Sequence, residues 1–245
     1  MNKIFIFIII VFIVLKSNGQ EKTPKFSSYI NIGQSIPIGN YSSSSKSNNP
    51  IEIGKTDLFG QSINWGIDYY IKKHIGLTAG LFLADYSLDN NKFEHIHNKN
   101  QSYTESYLQE HNLERYYFGI TTRLMYKNLF IEPRFALGYT VMDFGIADFY
   151  QKNYNNEIYK TINYDYKSSS FISYNLGINF NYKLINWGRF QILLPLFIEF
   201  SYQNPNIEYK QIISNKIKET IETNNYSYKQ KIMTLNYNFG IMIKL

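Results

Sequence analysis

From Gln230 to Leu245 the chain alternates almost without fault between two kinds of side chain. Met233, Leu235, Tyr237, Phe239, Ile241, Ile243 and Leu245 fall on one parity, and Ile232, Thr234, Asn236, Asn238, Gly240, Met242 and Lys244 on the other. A period of two is that of a β-strand, whose successive side chains point to opposite faces. The first face is large and apolar; the second carries amides, a hydroxyl and a glycine. A set that polar cannot form the dry core of a soluble sandwich without leaving buried groups unsatisfied. An apolar face against lipid, with the polar face lining a narrow lumen, accommodates both parities.

Seven earlier segments repeat the pattern at roughly the ten-residue length of a tilted strand crossing a bilayer. Phe26–Gly39 sets Ile30, Ile32, Ile36 and Ile38 against Asn31, Gly33, Ser35 and Pro37, with Gln34 breaking the pattern on the apolar side. Gly60–Ile71 points Ile63, Trp65, Ile67 and Tyr69 outward and Ser62, Asn64, Gly66 and Asp68 inward. Ile75–Tyr86 opposes Leu77, Ala79, Leu81 and Leu83 to Thr78, Gly80 and Phe82. Leu113–Tyr126 places Arg115, Tyr117, Gly119, Thr121 and Arg123 inward, and Leu129–Asp143 places Glu132, Arg134, Ala136, Gly138 and Thr140 there. In Ser170–Lys183 the inward set is Ser173, Asn175, Gly177, Asn179 and Asn181; in Phe190–Gln203 it is Gln191, Pro195, Glu199 and Ser201.

The connections sort by length. Lys72–His74, Lys127-Asn128 and Leu184–Arg189 are short, whereas Tyr41–Phe59, Ser87–Asn112, Phe144–Ser169 and Asn204–Lys229 are long. Three turns and four loops are what eight antiparallel strands need when both termini lie on one side of the membrane. The expected fold is therefore all-β: an eight-stranded antiparallel transmembrane up-and-down barrel with short periplasmic turns and four long extracellular loops. The third and fourth loops keep partial alternation, so their strands are open to continuation above the membrane. Lys216–Thr223 reads alternatively as a short helix.

Residues 1–19 carry Lys3, an apolar run from Ile4 to Leu15 and then Ser17-Asn18-Gly19. Twelve apolar residues are too few for a spanning helix and right for a signal-peptide core. The expected organisation is a signal peptide over 1–19 and one barrel domain over 20–245, exported to the outer membrane. The chain has no Cys, which excludes lipoprotein anchoring and disulfides. Of its 25 Lys and Arg residues two lie in 1–19, leaving 23 against 19 acidic residues and a mature charge of +4. That mild, dispersed charge carries no nucleic-acid signature. A mean hydropathy of −0.32 beside 18% aromatic residues fits half-polar strands with aromatic borders.

The signal segment, eight strands, short turns and long loops resemble the small OmpA/OmpX-like outer-membrane barrels of Gram-negative bacteria, over the whole mature chain. Asn238-x-Gly240-x-x-Ile243-x-Leu245 is similar to the terminal assembly signal of that class, with aliphatic residues at its last two places, and Pro37-x-Gly39-x-Tyr41 to the end of a first barrel strand. The resemblance implies the barrel-assembly machinery as a partner during biogenesis, with Asn238, Gly240, Ile243 and Leu245 as the signal. The class includes adhesins, porin-like channels, enzymes and structural proteins.

The sharpest interior feature is charge. A two-residue turn at Lys127-Asn128 makes Arg123 and Glu132 cross-strand neighbours. Asp68 and Arg134 point inward at similar depth and Glu199 higher up. These five residues form an expected interior charge network: a structural polar core, with a closed gate or narrow proton and ion path as the functional alternative and a catalytic carboxylate site as the third. His95-x-His97 is a metal pattern without a firmly placed third ligand; His74 is assigned to a turn and His111 to the second long loop, so neither metal nor cofactor is expected. No Ser or Thr has a positioned His partner on a strand, so no catalytic residue is nominated. Tyr69, Tyr126, Tyr182, Trp187 and Tyr202 read as interfacial anchors.

The chain is thus expected to be a monomeric, non-enzymatic outer-membrane protein serving envelope integrity or surface interaction through its loops. The alternatives are a narrow small-solute or ion channel and an accessory barrel of a secretion system. Loop residues Phe149, Tyr150, Tyr154, Tyr159, Tyr209, Tyr226 and Tyr228, interleaved with lysines, suit an extracellular protein or glycan ligand, with lipopolysaccharide phosphates the nearest anion.

Overall fold

The computed structural model describes residues 24–38, 60–86, 105–108, 111–187 and 190–245. The expected signal peptide, the first long loop, and most of the second with His95 and His97 lie outside the described residues. The strands are β1 (Phe26–Ile38), β2 (Gly60–Lys72), β3 (Ile75–Tyr86), β4 (Glu105–Leu108), β5 (His111–Thr122), β6 (Leu124–Tyr126), β7 (Leu129–Asp143), β8 (Ile146–Lys152), β9 (Ile158–Tyr166), β10 (Ser169–Trp187), β11 (Phe190–Gln203), β12 (Asn206–Asn215), β13 (Thr220–Lys229) and β14 (Ile232–Lys244). β5 and β6 are one barrel strand interrupted at Arg123. The sheet runs β10-β11-β14-β1-β2-β3-β5-β7 and closes through β7–β10, which makes eight antiparallel barrel strands.

Closure fixes a stagger. Starting at Ser27, cross-strand partners run through Asp68, Thr78, Gly119, Ala136, Asn175, Ser201 and Thr234, and return to the first strand at Pro37, ten residues beyond Ser27. That shear tilts the strands by roughly 35–45° and leaves an interior just wide enough for side chains.

The exterior is the reverse of a soluble protein's. Ile30, Ile32, Trp65, Phe118, Ile120, Leu176, Phe239 and Ile241 are all more than half exposed, and they belong to a band spread over the strands. An apolar surface of that extent requires lipid. Its upper limit is sharp. Along one outward row Tyr237, Gln34, Gln61, Asp85, Asn112 and Asp143 are successive cross-strand partners, all polar. The next outward row toward the short turns runs Phe239, Ile32, Ile63 and Leu83. Gln34, which breaks the alternation of the first strand, belongs to the polar boundary and accepts a hydrogen bond from the Tyr237 hydroxyl. At the other limit Tyr69, Tyr126, Tyr182 and Trp187 are exposed, and Trp187 stacks on Phe190 with centroids 5.9 Å apart.

Two local expectations are corrected, and the strand continuation open to the third and fourth loops is realised. The connection assigned to Leu184–Arg189 is mostly strand: β10 runs to Trp187, which pairs with Phe190, after a register shift between Lys183 and Ile185. The third and fourth loops are strands of a second sheet, ordered β13-β12-β9-β8-β4, which raises the barrel wall on one side. Lys216–Thr223 is not helical: residues 216–219 turn and β13 begins at Thr220. The Asn215 carboxamide oxygen accepts from the Ile217 and Lys218 amides at 3.0 and 3.1 Å, and Glu219 takes φ 51°. With that turn closed, β-branched Ile212, Ile213, Ile221 and Thr223 pair across a hairpin.

Candidate functional site

The lumen is spanned by side chains of opposite charge from distant strands. Arg123 and Glu132 lie opposite in register, between the pairs Thr121–Arg134 and Leu124–Ile131. Arg123 Nε donates to Glu132 Oε1 at 2.7 Å. Lys244, from β14 across the barrel, donates to the same oxygen at 2.6 Å, and Asn181 donates to Oε2 at 2.7 Å. Arg134 Nη2 donates to Asp68 Oδ2 at 2.7 Å, and its Nη1 to the Tyr29 hydroxyl on the diametrically opposite strand. The cations also lie over rings: Arg123 is 3.4 Å from the Tyr70 centroid, Lys244 4.2 Å from Phe130 and Arg134 4.5 Å from Tyr29. Because every ion is buried, paired and doubly contacted, the charges support one another instead of standing alone in low dielectric.

Arg123 also anchors the floor. The strand breaks at this residue because its backbone pairs with the β2–β3 turn: its amide donates to the His74 carbonyl at 2.9 Å, and His74 Nδ1 lies 2.8 Å from the Arg123 carbonyl. Its Nη1 donates to the Pro24 carbonyl at 2.9 Å.

A second level lies higher. Arg115 pairs with Glu199 across the lumen and donates to Ser201, while Asn236 donates to Glu199 at 3.0 Å. The hydroxyls of Tyr29 and Tyr117 meet at 2.7 Å, bridging opposite walls. Glycine makes this possible. A Cβ on Gly66 or Gly80 would collide with the Tyr117 hydroxyl, and one on Gly138 would sit 2.7 Å from Arg115 Cγ. Asn31, Asn179 and Asp68 Oδ1 keep buried polar atoms with no partner among the described residues, which suits a lumen holding water.

Above these levels the chemistry turns aromatic. Tyr209 on β12 sits 5.0 Å from Tyr226, 5.3 Å from Tyr166 and 6.1 Å from Tyr164 between ring centroids. Phe149 meets Tyr164 edge-on at 5.7 Å. These rings continue into the barrel through Met142, Leu113, Tyr86 and Phe82 as one cluster. Burial pushes the Tyr209 phenol up to about 12 and the Tyr166 phenol well above its ordinary value. Phe149 and Tyr209, expected to be surface recognition residues, are therefore core residues of the second sheet; Tyr154 and Tyr226 remain exposed. His111, assigned to a loop, is the first residue of β5 and is buried edge-on against Phe144 at 5.6 Å.

All five nominated interior residues point into the lumen and are buried, and the structure gives each a partner. Two ions outside that set complete it: Arg115 for Glu199 and Lys244 for Glu132. Both were legible as inward by parity alone. Of the terminal signal residues, Asn238 is buried and accepts from Ser62 Oγ at 3.1 Å, while Ile243 and Leu245 face outward. Gly240 stands beside Asn31, where a Cβ would strike the β1 backbone. The Leu245 amide donates to the Phe26 carbonyl at 2.8 Å, and the Phe26 amide returns the bond at 3.1 Å.

No protein-family model matches the chain, and no curated protein matches it by sequence. Among solved structures, the outer-membrane protease OmpT of Escherichia coli is 8% identical with a TM-score of 0.45, covering 94% of this chain and 99% of that one. A major outer-membrane protein of Thermus thermophilus is 12% identical at 0.43, over 90% and 98%. The attachment invasion locus protein Ail of Yersinia pestis is 13% identical at 0.39, over 90% and 99%. These are distant likenesses. The chain's own closure, polar interior, apolar exterior and aromatic border make it an integral membrane barrel of the outer-membrane type, with the eight-stranded architecture of the small OmpA/OmpX-like barrels.

Proposed function

We propose that this protein is a non-enzymatic, non-conducting outer-membrane barrel that presents a rigid extracellular sheet for contact with surface molecules. In this reading residues 1–19 direct export, and Asn238, Gly240, Ile243 and Leu245 serve recognition by the barrel-assembly machinery. The observation that carries the reading is the folding of the third and fourth loops into a sheet whose buried aromatic face continues the cluster of the upper barrel. Ordering that much chain above the membrane costs conformational entropy, and a barrel needed only as a membrane plug has no use for it. Ion pairs and the Tyr29–Tyr117 contact across the lumen favour a plugged barrel over a channel. The accessible chemistry is Tyr154 and Tyr226 with exposed lysines, suited to a protein surface or to the anionic sugars and phosphates of lipopolysaccharide.

The test replaces 149–167 and 206–229 with short turns. Folding is read by heat modifiability: unboiled protein in mild detergent should migrate apart from boiled protein, since a closed barrel has no free edge from which to unzip. Retained heat modifiability with loss of surface attachment or of envelope resistance supports the proposal. A shortened barrel equal to the parent in every cellular assay overturns it, as does steady conductance by the parent in planar bilayers.

A further inference from the structure

Building on the surface-contact reading above, we infer that the free edge of β13 binds an extended polypeptide segment of a partner protein as an added strand. The second sheet has two edges. β4, at one end, is four residues long, and a short edge is one way in which a sheet avoids pairing with other chains. β13, at the other end, is ten residues long, and no described strand pairs with its far side. Its ladder with β12 runs from Asn206–Lys229 to Asn215–Thr220 without a bulge. It holds no proline, and its only charged residues are Glu222 and Lys229. All of residues 220–227 are exposed.

The direction of each backbone group follows from two hydrogen bonds. The Gln230 amide donates to the Pro205 carbonyl at 3.1 Å, in the register of the β12–β13 ladder, and the Lys216 amide to the Tyr159 carbonyl at 2.9 Å, in that of β12–β9. In an antiparallel ladder each residue turns both backbone groups to one neighbour, and successive residues alternate between neighbours. Odd residues of β12 therefore face β13, even ones face β9, and on β13 the even residues are those already paired. Ile221, Thr223, Asn225 and Ser227 are left with N–H and C=O directed to the free edge, at a repeat of about 6.6–6.8 Å. A second extended chain matches that row of alternating donors and acceptors, whereas a sugar or a phosphate meets one pair at a time.

The side chains indicate which kind of chain. On the inner face Tyr166, Tyr209 and Tyr226 are cross-strand partners in one row over β9, β12 and β13, with ring centroids 5.3 and 5.0 Å apart. The row stops at Tyr226, which is 43% exposed. Because Tyr226 turns its backbone to β12, an added strand faces it in a non-hydrogen-bonded pair, where side chains approach most closely. An aromatic or β-branched residue at that place extends the row and covers the ring. The partner segment thus carries large side chains at every second position, with polar residues between them to continue the outer face of Thr223 and Asn225.

The experiment titrates the detergent-folded full chain into a fluorescein-labelled peptide of Thr-Tyr repeats between terminal lysines, read by anisotropy with empty micelles as the blank. The control peptide is N-methylated throughout the repeats, which keeps the side chains and removes the backbone donors. The parent should bind the first peptide and not the second. T223P/N225P should bind it about tenfold more weakly, since two edge donors are lost and the proline rings obstruct approach. Neither of those amides serves β12, and proline is tolerated on edge strands, so heat modifiability and protease resistance within 206–229 should persist. Y226A should bind about threefold more weakly. Should T223P/N225P lose the hairpin, the two peptides on the parent still decide. Equal binding of both peptides, no binding of the first, or binding unchanged by a folded T223P/N225P overturns strand addition. Lipopolysaccharide is the last arm: a parent that binds it and neither peptide refutes strand addition and leaves the surface-contact reading in place, which the loop replacement tests separately in cells.

Discussion

The barrel lumen and the inner face of the extracellular sheet are both buried, and they achieve it with opposite chemistry. In the lower lumen Glu132 and Asp68 are held by Arg123, Lys244 and Arg134, and amides and hydroxyls fill the remaining space. In the sheet above, Tyr209, Tyr164, Tyr166 and Phe149 pack ring against ring. The difference follows from what each region has on its outside. A barrel strand gives its apolar residues to lipid and has only polar ones left for the inside. A strand above the membrane faces water outward, so it can return to the soluble pattern with its rings inside. The polar row from Tyr237 through Gln34, Gln61, Asp85 and Asn112 to Asp143 is where the rule inverts.

The largest expected effect lies in the lumen. E132L removes the one acceptor shared by Arg123 and Lys244 and leaves two buried cations facing each other. Breaking a buried pair costs on the order of 3–5 kcal/mol, and a water-filled lumen would bring the loss below that range. Urea unfolding of the detergent-folded protein measures it. Adding R123M to E132L should recover part of the loss, because fewer unpaired charges remain; a purely additive double-mutant cycle would show that the two residues do not act together.

In the sheet, Y209A removes the ring on which Tyr164, Tyr166, Tyr226 and Tyr228 converge. Truncating a buried aromatic costs about 3 kcal/mol, and here the loss should stay local: protease sensitivity within 206–229 should rise while the boiled–unboiled mobility difference persists. If Y209A also abolishes heat modifiability, the two regions are one folding unit and the contrast between them fails. L176R probes the outer wall in the same way. Leu176 is 58% exposed, and arginine there should cost about 2–4 kcal/mol against lipid, whereas a soluble surface would tolerate it.

How much of this was legible follows from the same inversion. Strand number, facing and the partnership of Arg123 with Glu132 needed only parity and one two-residue turn, since a period of two leaves no freedom once the lipid side is known. The links across the lumen, Arg134 to Tyr29 and Lys244 to Glu132, depend on shear, which only the closed ladder fixes. Lys244 and Arg115 carried the inward parity but no local cue to a partner several strands away. The second sheet shows in the sequence only as partial alternation, because above the polar row the same period of two carries the opposite meaning: Phe149 and Tyr209 look like loop ornaments until a sheet is placed over them. Lys216–Thr223 could be taken for a helix because its turn rests on one asparagine side chain.

A pH titration sharpens the contrast at smaller scale. Tyr209 has its folded value raised to about 12 from an unfolded value near 10. A proton held more tightly in the folded state contributes stability fully present below about pH 10, and lost as pH rises through 12. The sheet should therefore loosen across that window while the barrel persists. Tyrosinate absorbance combined with heat modifiability follows both events; loss of the barrel first, with the sheet still folded, contradicts the expected order.

The smallest effect comes from an ion pair made of ordinary parts in the wrong place to matter. Lys167 Nζ lies 3.2 Å from Glu208 Oε2 between β9 and β12, with the two side chains 74% and 48% exposed. Arg134 and Asp68 form a similar contact at 2.7 Å with both side chains almost wholly buried. In water the Coulomb gain of an exposed pair is offset by hydration and by the entropy of holding two long side chains, so such pairs contribute about 0–1 kcal/mol. K167A should change the unfolding midpoint of the sheet by an amount at the edge of measurement, and added salt should erase even that. The neighbouring backbone bond from the Lys167 amide to the Glu208 carbonyl, at 3.0 Å, survives the substitution and keeps the register. A loss in K167A as large as that of E132L would mean that the sheet, too, is held by charge, and the opposition between the two regions would have to be given up.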